Sequence, residues 1–292
     1  MNLSIAYLGP QGTYSEFAAS TYARWLQQHH QTDTARQAYP SIAQVLRAVA
    51  QAEVDICVVP VENSIGGGVT TTLDMLWELD MLQIQRALTL PIEHAFLSQA
   101  DRLQVVSTVY SHPQALTQCQ KWLETHLPEV TLIATNSTTE ALQHLDADPT
   151  VGAISSAWAA QIYGLPVLAH PINDHSDNCT RFWVLSRESS QSGDYTSLAF
   201  SLPTNDAGAL LKPLQHLALA KINMSRIESR PTKRSLGDYL FFIDIEAGLD
   251  SPHTRAALDA MGGCTETLKL FGSYTLLPME EVLAQTSTPK YL

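Results

Sequence analysis

Short apolar segments alternate with amphipathic segments along roughly the first 185 residues. Residues 4–8 and 55–61 are continuous apolar runs with the length of buried strands. Residues 13–26 instead carry apolar side chains at helical spacing, and Thr13 and Glu16 at the start have the separation of a capping box. This alternation predicts an α/β domain with a largely parallel sheet.

The pattern changes after residues 188–194, a polar, serine-rich stretch that has the character of a linker. Residues 195–274 contain strand-like and helix-like segments in the order βαββαβ, which is the ferredoxin-like split arrangement. Pro213 lies well inside the first predicted helix of this part, where we expect it to bend the helix. We expect residues 275–292 to form a weakly structured tail, with at most one helical turn near Glu280.

Length and composition narrow the possible functions. A chain of 292 residues suits two domains, and an apolar fraction of 45% is typical of globular proteins. The net charge of −12 argues against nonspecific nucleic-acid binding and requires an anionic substrate to be held by local donors. No apolar stretch approaches the ~20 residues of a membrane-spanning helix, and no basic segment precedes an apolar run at the N-terminus. We therefore expect a cytoplasmic protein that does not bind membranes.

Hydroxyl and amide side chains recur where a predicted strand leads into a helix, as at Thr13, Ser15, Asn63 and Ser64. In open α/β sheets these junctions lie at the carboxyl ends of the strands, where ligands bind. Free N–H groups at the helix starts add anion-binding capacity. Each residue alone is better explained as a helix cap. Several around one cleft favour a ligand that carries carboxylates.

Three motifs are more specific: GPQGTYS at residues 9–15, PVENS at 60–64 and NCTRF at 178–182. Together they resemble the prephenate dehydratase family, and SHPQAL at residues 111–116 is a further match. We interpret His112 in that fourth motif as a capping or structural residue. Four cysteines without metal-like spacing are expected to be reduced thiols.

The resemblance implies a lyase that converts prephenate to phenylpyruvate with loss of carbon dioxide and the ring hydroxyl. Thr180 would stabilise the departing oxygen, while Glu62, Asp174 or His175 could supply the proton. Arg181 would anchor a carboxylate and Phe182 would pack beside the ring. The catalytic residues implied are Thr180 and Glu62. The substrate-binding residues implied are Gln11, Thr13, Ser15, Asn63, Ser64, Asn178, Arg181 and Phe182.

The second part of the chain resembles the ACT amino-acid-sensing module. Feedback regulation by L-phenylalanine is implied, at a site formed between paired modules, and hence a homodimer or homotetramer. The residues implied for this effector site are Asn205, Gly208, Ala209, Leu210, Glu228, Ser229, Arg230 and Pro231.

The sequence predicts three parts along the chain. Residues 1–187 are predicted to form a two-lobed catalytic domain of the periplasmic-binding-protein-like type II fold, residues 195–274 an ACT domain, and residues 275–292 a tail. No metal or cofactor is implied, because aromatisation of the ring drives the reaction. The same chemistry on arogenate, or a catalytically inactive amino-acid sensor, stays open. A fused chorismate mutase is not expected, since no long helical segment flanks the two domains.

Overall fold

The computed structural model describes residues 2–145 and 148–278. Within these ranges the strands are β1 (Leu3–Leu8), β2 (Thr34–Tyr39), β3 (Ile56–Asn63), β4 (Gly67–Gly68), β5 (Gln83–Pro91), β6 (His94–Ser98), β7 (Thr108–Ser111), β8 (Thr131–Ala134), β9 (Val151–Ser156), β10 (Val167–Ala169), β11 (Cys179–Ser186), β12 (Tyr195–Ser201), β13 (Met224–Pro231), β14 (Tyr239–Ile245) and β15 (Thr267–Leu277). The α-helices there are α1 (Tyr14–His30), α2 (Ile42–Ala50), α3 (Thr70–Glu78), α4 (Pro113–Gln118), α5 (Gln120–His126), α6 (Ala157–Tyr163), α7 (Leu211–Leu219) and α8 (Pro252–Gly262).

The strands form two sheets. The larger has the order β13-β14-β12-β15-β5-β11-β3-β1-β2, with β4 paired to β3, and the smaller has the order β10-β6-β9-β7-β8. The chain passes from the larger sheet to the smaller between β5 and β6, and it returns between β10 and β11. Residues up to about 187 therefore form two lobes, each centred on one sheet and joined by two crossings.

Both sheets are mixed, so the prediction of a largely parallel sheet is wrong. β1 is parallel to β2 and β3, but β11 is antiparallel to both of its neighbours, β3 and β5. In the smaller sheet β7 is parallel to β8 and β9, whereas β6 is antiparallel to β9. Strand β11 returns from the smaller lobe and inserts between β3 and β5, and it is antiparallel to both of them.

Strand β11 is apolar on both faces and contributes to two cores. Phe182 and Val184 pack with the buried face of α1. Trp183 and Leu185 point the other way, into a core that also contains Phe242 of β14. Burying apolar surface of this kind contributes about 25 cal/mol per Å². One continuous apolar core thus joins the larger lobe to the C-terminal unit, as we call β12 to β15 with their helices.

The C-terminal unit has the predicted βαββαβ order and the strand order β13-β14-β12-β15, with antiparallel pairing throughout. Its first helix begins later than predicted, at Leu211, because Gly208 adopts a left-handed φ of +83°. Pro213 consequently lies in the first turn of α7. A proline there removes no helical hydrogen bond, so the physical reason for the predicted bend does not apply.

Strand β15 is longer than the sequence predicts. It pairs with β12 as far as Tyr274, and the next three residues pair with β5 in parallel register, Thr275 opposite Arg86 and Leu277 opposite Leu88. The first residues of the expected tail are therefore strand rather than weakly structured chain. The helical turn expected near Glu280 lies outside the described residues.

Candidate active site

A cleft of about 310 Å³ lies between the two lobes. Residues from both sheets line it, together with the start of α1, the glycine loop after β3 and helix α4. The lining residues are Tyr14, Ser15, Pro60, Asn63, Gly66, Gly67, Gly68, Val69, Ile92, His94, His112, Gln114, Ala115, Gln118, Thr138, Thr180 and Phe182. Among the described residues, the lining contains hydroxyls, amides and imidazoles, but no lysine or arginine.

Thr180 and Asn63 face each other across the β11–β3 ladder and both line the cleft. The Asn63 side-chain nitrogen lies 3.0 Å from Thr180 Oγ1 and 2.8 Å from Asn178 Oδ1. The Asn63 side-chain oxygen accepts from the backbone N–H groups of Ile65 and Gly66, at 3.2 and 2.7 Å. Because a backbone N–H can only donate, these contacts fix the orientation of the Asn63 amide. Thr180 therefore accepts from Asn63 and keeps its own proton for another acceptor.

The hydrogen bonds continue from Asn178 into the smaller lobe. Asn178 Nδ2 donates to Gln118 Oε1 at 3.1 Å, and the same oxygen lies 2.9 Å from His94 Nε2. These three side chains are at most 6% exposed. Burial lowers the pKa of His94, although the contact with Gln118 opposes that shift. A neutral imidazole therefore stands at the far end of the network.

The GPQGTYS motif brings only part of its predicted residues to the cleft. Ser15 is buried and lines it. Thr13 is the N-cap of α1, where its hydroxyl accepts from the backbone N–H of Glu16 at 3.2 Å and donates to the Leu8 carbonyl at 3.0 Å. Gln11 is exposed, and its carbonyl accepts from the Tyr163 hydroxyl at 3.0 Å. Thr13 and Gln11 thus shape the loop before α1 without reaching the cleft.

Arg181 and Glu62 are not brought to the cleft. Side chains alternate across a strand, so neighbours of Thr180 and Asn63 point to the opposite face of the sheet. There the Arg181 guanidinium lies 3.7 Å from Glu62 Oε2 and 3.5 Å from Asp244 Oδ2 of β14. Arg181, the expected carboxylate anchor, therefore pairs with Glu62, one of the expected proton sources. Arg181 also pairs with the C-terminal unit through Asp244.

Three further predicted residues of the N-terminal lobes, Ser64, Asp174 and His175, are not among the residues that line the cleft. Ser64 is exposed, and its hydroxyl accepts from the Cys179 backbone N–H at 3.0 Å, which ties the β3 loop to β11. Asp174 accepts from the backbone N–H groups of Lys121 and Trp122 at the start of α5. His175 is exposed and is not among the lining residues.

Two residues of the cleft network, His94 and Gln118, were not predicted as site residues. They lie 24 positions apart in the chain and meet only because β6 and α4 pack together. A single histidine next to an apolar segment adds no hydrophobic periodicity to the sequence, so no pattern marked His94 as a site residue. His112, by contrast, was interpreted correctly as a cap, since its Nδ1 accepts from the Gln114 backbone N–H at 3.2 Å at the start of α4.

The residues expected for an effector site do not come together within one chain. Asn205 lines a small cavity of about 130 Å³ in the C-terminal unit. Glu228 instead packs against Gly68 and leaves no room there for a Cβ atom. Arg230 donates to both carboxylate oxygens of Asp74 in α3, at 3.0 and 3.2 Å. The segment from Glu228 to Pro231 thus contacts the loop and helix beside the cleft.

The rest of that predicted set does not join Asn205 in its cavity. A Cβ atom at Gly208 would meet open space, and Ala209 and Leu210 follow it in the turn before α7. Ser229 and Pro231 lie on β13, opposite Phe241 and Tyr239.

No group of three or more potential metal ligands was found in residues 2–145 and 148–278. Over the same part of the chain, no helix is long and apolar enough to cross a membrane.

Comparisons with known proteins agree on one family. The family model for prephenate dehydratase matches residues 5–190. A bifunctional chorismate mutase/prephenate dehydratase from Neisseria gonorrhoeae is 41% identical over 277 residues, covering 93% of this chain and 74% of its own.

Several solved structures are similar over almost the whole chain, among them the two that follow. A prephenate dehydratase from Arthrobacter aurescens in complex with L-Phe has a TM-score of 0.83 and 32% identity, covering 94% of this chain and 90% of its own. GqqA, described as a novel type of quorum quenching acylase, has a TM-score of 0.78 and 27% identity, covering 95% and 99%. On the family model and the identity to its relatives, this chain belongs to the prephenate dehydratase family of carbon–oxygen lyases.

Proposed function

We propose that the cleft between the lobes converts prephenate to phenylpyruvate, carbon dioxide and water. The single observation that carries this proposal is the hydrogen bond from Asn63 to Thr180, which leaves the Thr180 hydroxyl proton free to point at a substrate oxygen. Loss of the ring carboxylate as carbon dioxide leaves an electron pair, which moves through the diene and expels the oxygen at the opposite carbon. One proton is taken up from solvent, and the oxygen departs as water.

In this reaction Thr180 stabilises the negative charge that develops on the departing oxygen. A threonine hydroxyl is too weak an acid to be a good general acid at neutral pH, so we assign it hydrogen bonding rather than full proton transfer. Preorganised donors of this kind are typically worth ~3–4 kcal/mol. Phe182, which is buried and lines the cleft, would pack beside the ring.

Neutral donors would hold the two carboxylates of the substrate, because no cationic side chain lines the described cleft. Ser15 at the first turn of α1 and the side-chain nitrogen of Gln118 are available for this task. Arg181 would act indirectly, because its ion pairs on the opposite face of the sheet hold β11 in place. The two sheets and their two crossings support a periplasmic-binding-protein-like fold, in which a ligand is enclosed between lobes.

We further propose that the C-terminal unit is an ACT-like module through which L-phenylalanine regulates the enzyme. Its βαββαβ order and its strand order support this assignment. The contacts of Glu228 with Gly68 and of Arg230 with Asp74 would carry a change in β13 directly to the edge of the cleft. An effector site between paired modules would make the active form a homodimer or homotetramer. We place the enzyme in the cytoplasm.

The experiment is phenylpyruvate formation from prephenate by the wild type, Thr180→Val and Thr180→Ser, each with and without L-phenylalanine. We expect Thr180→Val to lower kcat by roughly 10²–10³-fold and Thr180→Ser to keep most of the activity, because only the first removes the hydroxyl. Wild-type inhibition by L-phenylalanine would support the regulatory role. A Thr180→Val variant with wild-type kcat would remove Thr180 from the mechanism.

The wild-type result also separates the alternatives. Turnover of arogenate but not prephenate would identify an arogenate dehydratase, and turnover of neither, with L-phenylalanine still bound, would identify a sensor. Acylase chemistry like that in the name of GqqA needs an activated nucleophile. The Asn63 amide nitrogen beside Thr180 cannot accept a proton, so the geometry does not favour Thr180 as that nucleophile.

A further inference from the structure

The proton arrangement of the cleft network follows from the backbone contacts of Asn63. Its side-chain oxygen accepts from two backbone N–H groups, so its nitrogen donates to Asn178 Oδ1. The Asn178 side-chain nitrogen must then donate to Gln118 Oε1. That oxygen also faces His94 Nε2, and two acceptors cannot bond to each other. His94 therefore carries its proton on Nε2, and Nδ1 keeps a free lone pair.

Two atoms at the end of this network have no hydrogen-bond partner among the described residues: His94 Nδ1 and Gln118 Nε2. One is an acceptor and the other a donor. Both side chains are more than nine-tenths buried, and both line the cleft. Leaving such atoms unpaired in a protein interior is unfavourable. An unpaired acceptor and an unpaired donor, in two side chains that line the cleft, indicate a ligand that supplies a donor to the first and an acceptor to the second.

The imidazole ring of His94 is held in place. Tyr14 packs against it edge-on, with ring centroids 6.0 Å apart at 78°, and the Tyr14 hydroxyl donates to the Glu93 carbonyl at 2.6 Å. The His94 backbone N–H donates to Asn173 Oδ1 at 2.6 Å. With Nε2 bound to Gln118 as well, the ring presents Nδ1 in one fixed direction.

We propose that His94 is the residue that orients the substrate in the cleft, by accepting a hydrogen bond from its ring hydroxyl. This inference rests on the proposed function. At neutral pH prephenate carries two carboxylates and a ketone, all of which only accept, and its ring hydroxyl is its one hydrogen-bond donor. A fixed lone pair at Nδ1 therefore admits the hydroxyl end and repels the carboxylate ends. Gln118 Nε2, on the opposite side of the imidazole from Nδ1, would donate to a carboxylate at the other end of the substrate.

Two substitutions separate this role from a purely structural one. His94→Gln places an amide nitrogen where Nε2 was, so it keeps the bond to Gln118 but loses the acceptor at Nδ1. His94→Asn places an amide oxygen where Nδ1 was, so it keeps the acceptor but loses the bond to Gln118. If His94 positions the substrate through its ring hydroxyl, His94→Gln should be the more impaired variant. If His94 acts only through its bond to Gln118, His94→Asn should be the more impaired one.

The test is steady-state kinetics with prephenate, together with the inhibition constant of phenylpyruvate, which has no ring hydroxyl, and thermal unfolding of each variant. We expect His94→Gln to raise KM for prephenate roughly tenfold, as the loss of one well-placed hydrogen bond requires. The phenylpyruvate constant should stay within about threefold of the wild-type value in the same variant. His94→Asn should keep KM within about threefold.

Three outcomes would overturn the inference. A His94→Gln enzyme with wild-type KM, or a His94→Asn enzyme that is the more impaired of the two, would show that only the contact with Gln118 matters, while the proposed reaction would stand. A wild-type protein that turns over neither prephenate nor arogenate would remove the proposed function, and the role of His94 with it.

Discussion

Arg181 and Asp244 lie 3.5 Å apart at the junction between the larger lobe and the C-terminal unit. Arg181 directly follows Thr180 on β11. Asp244 is fully buried, accepts from the Ser197 hydroxyl at 2.5 Å and accepts from Arg226 Nε at 2.7 Å. Burial would lower the pKa of the Arg226 guanidinium, but Asp244 outweighs it and raises that pKa. The Asp244 carboxylate thus links β11, the strand that carries Thr180, to the C-terminal unit.

Replacing Asp244 by asparagine should destabilise the protein strongly. The Arg181 and Arg226 guanidinium groups would face each other without the carboxylate, and breaking a buried ion pair in this way costs about 3–5 kcal/mol. The measurement is the free energy of unfolding in denaturant, with Asp259→Asn on the exposed face of α8 as the control. The control should change stability by no more than about 0.5 kcal/mol. Equal stability of the two variants would contradict this view of the junction.

Asn63→Asp should reverse the direction of the hydrogen bond to Thr180. A carboxylate oxygen in place of the amide nitrogen only accepts, so the Thr180 hydroxyl would turn its proton towards position 63 and away from the cleft. We expect kcat to fall by about 10²-fold, as for the loss of one preorganised donor. The exposed Asn223→Asp is the matched control, and thermal unfolding of both variants checks folding. Unchanged kcat in a folded Asn63→Asp enzyme would refute the assigned polarity.

The pairing of Asp74 with Arg230 and Lys233 should make the junction sensitive to acid. Burial raises the pKa of the Asp74 carboxyl, but its hydrogen bonds from Arg230 and Lys233 outweigh that and hold the pKa below its usual value. A depressed carboxyl pKa stabilises the folded protein above the unfolded-state pKa of about 3.9, and this contribution is lost as pH falls through the lower folded-state value.

Asp74→Asn should therefore lower the free energy of unfolding by about 1–2 kcal/mol at pH 7, and the difference from wild type should vanish in strong acid. Denaturant titrations between pH 7 and pH 2.5 measure it, with the exposed Asp101→Asn as the control. A difference between wild type and Asp74→Asn that persists unchanged down to pH 2.5 would argue against the ion pair.

Gly12→Ala should be more destabilising than Gly164→Ala, although both glycines have positive φ, +89° and +64°. A Cβ atom at Gly12 would lie 3.0 Å from the Tyr163 ring and 3.2 Å from Thr139, whereas at Gly164 it would meet open space. Gly164→Ala should cost about 1 kcal/mol for the left-handed backbone alone. Gly12→Ala should add at least about 1 kcal/mol of crowding. Similar melting temperatures for the two variants would show that the loop yields freely.

Sequence patterns were sufficient to predict most elements, and the family resemblance of their motifs was sufficient to name Thr180 and Asn63 as residues of one site. They were not sufficient to predict which way Arg181 points. The next four residues of β11, from Phe182 to Leu185, are all apolar, so no alternation marks the face that the C-terminal unit covers. Only the tertiary packing decides that Arg181 meets Asp244.

The longer-range contacts of the site were also beyond prediction. His94 and Gln118 belong to different elements, and their hydrogen bond depends on how β6 and α4 pack in the smaller lobe. The insertion of β11 between β3 and β5 depends on the return of the chain from that lobe. Neither relationship leaves a local trace in composition or periodicity.

The end of β15 has a consequence for any attempt to isolate the catalytic lobes. A fragment that stopped near residue 190, where the family match ends, would lack Thr275 to Leu277 and would leave Arg86, Ala87 and Leu88 of β5 as an unpaired sheet edge. An open edge of this kind is a template for pairing with another copy, and natural proteins avoid exposing one. It would also uncover Trp183 and the rest of the shared core. Such a fragment should aggregate rather than behave as a smaller enzyme.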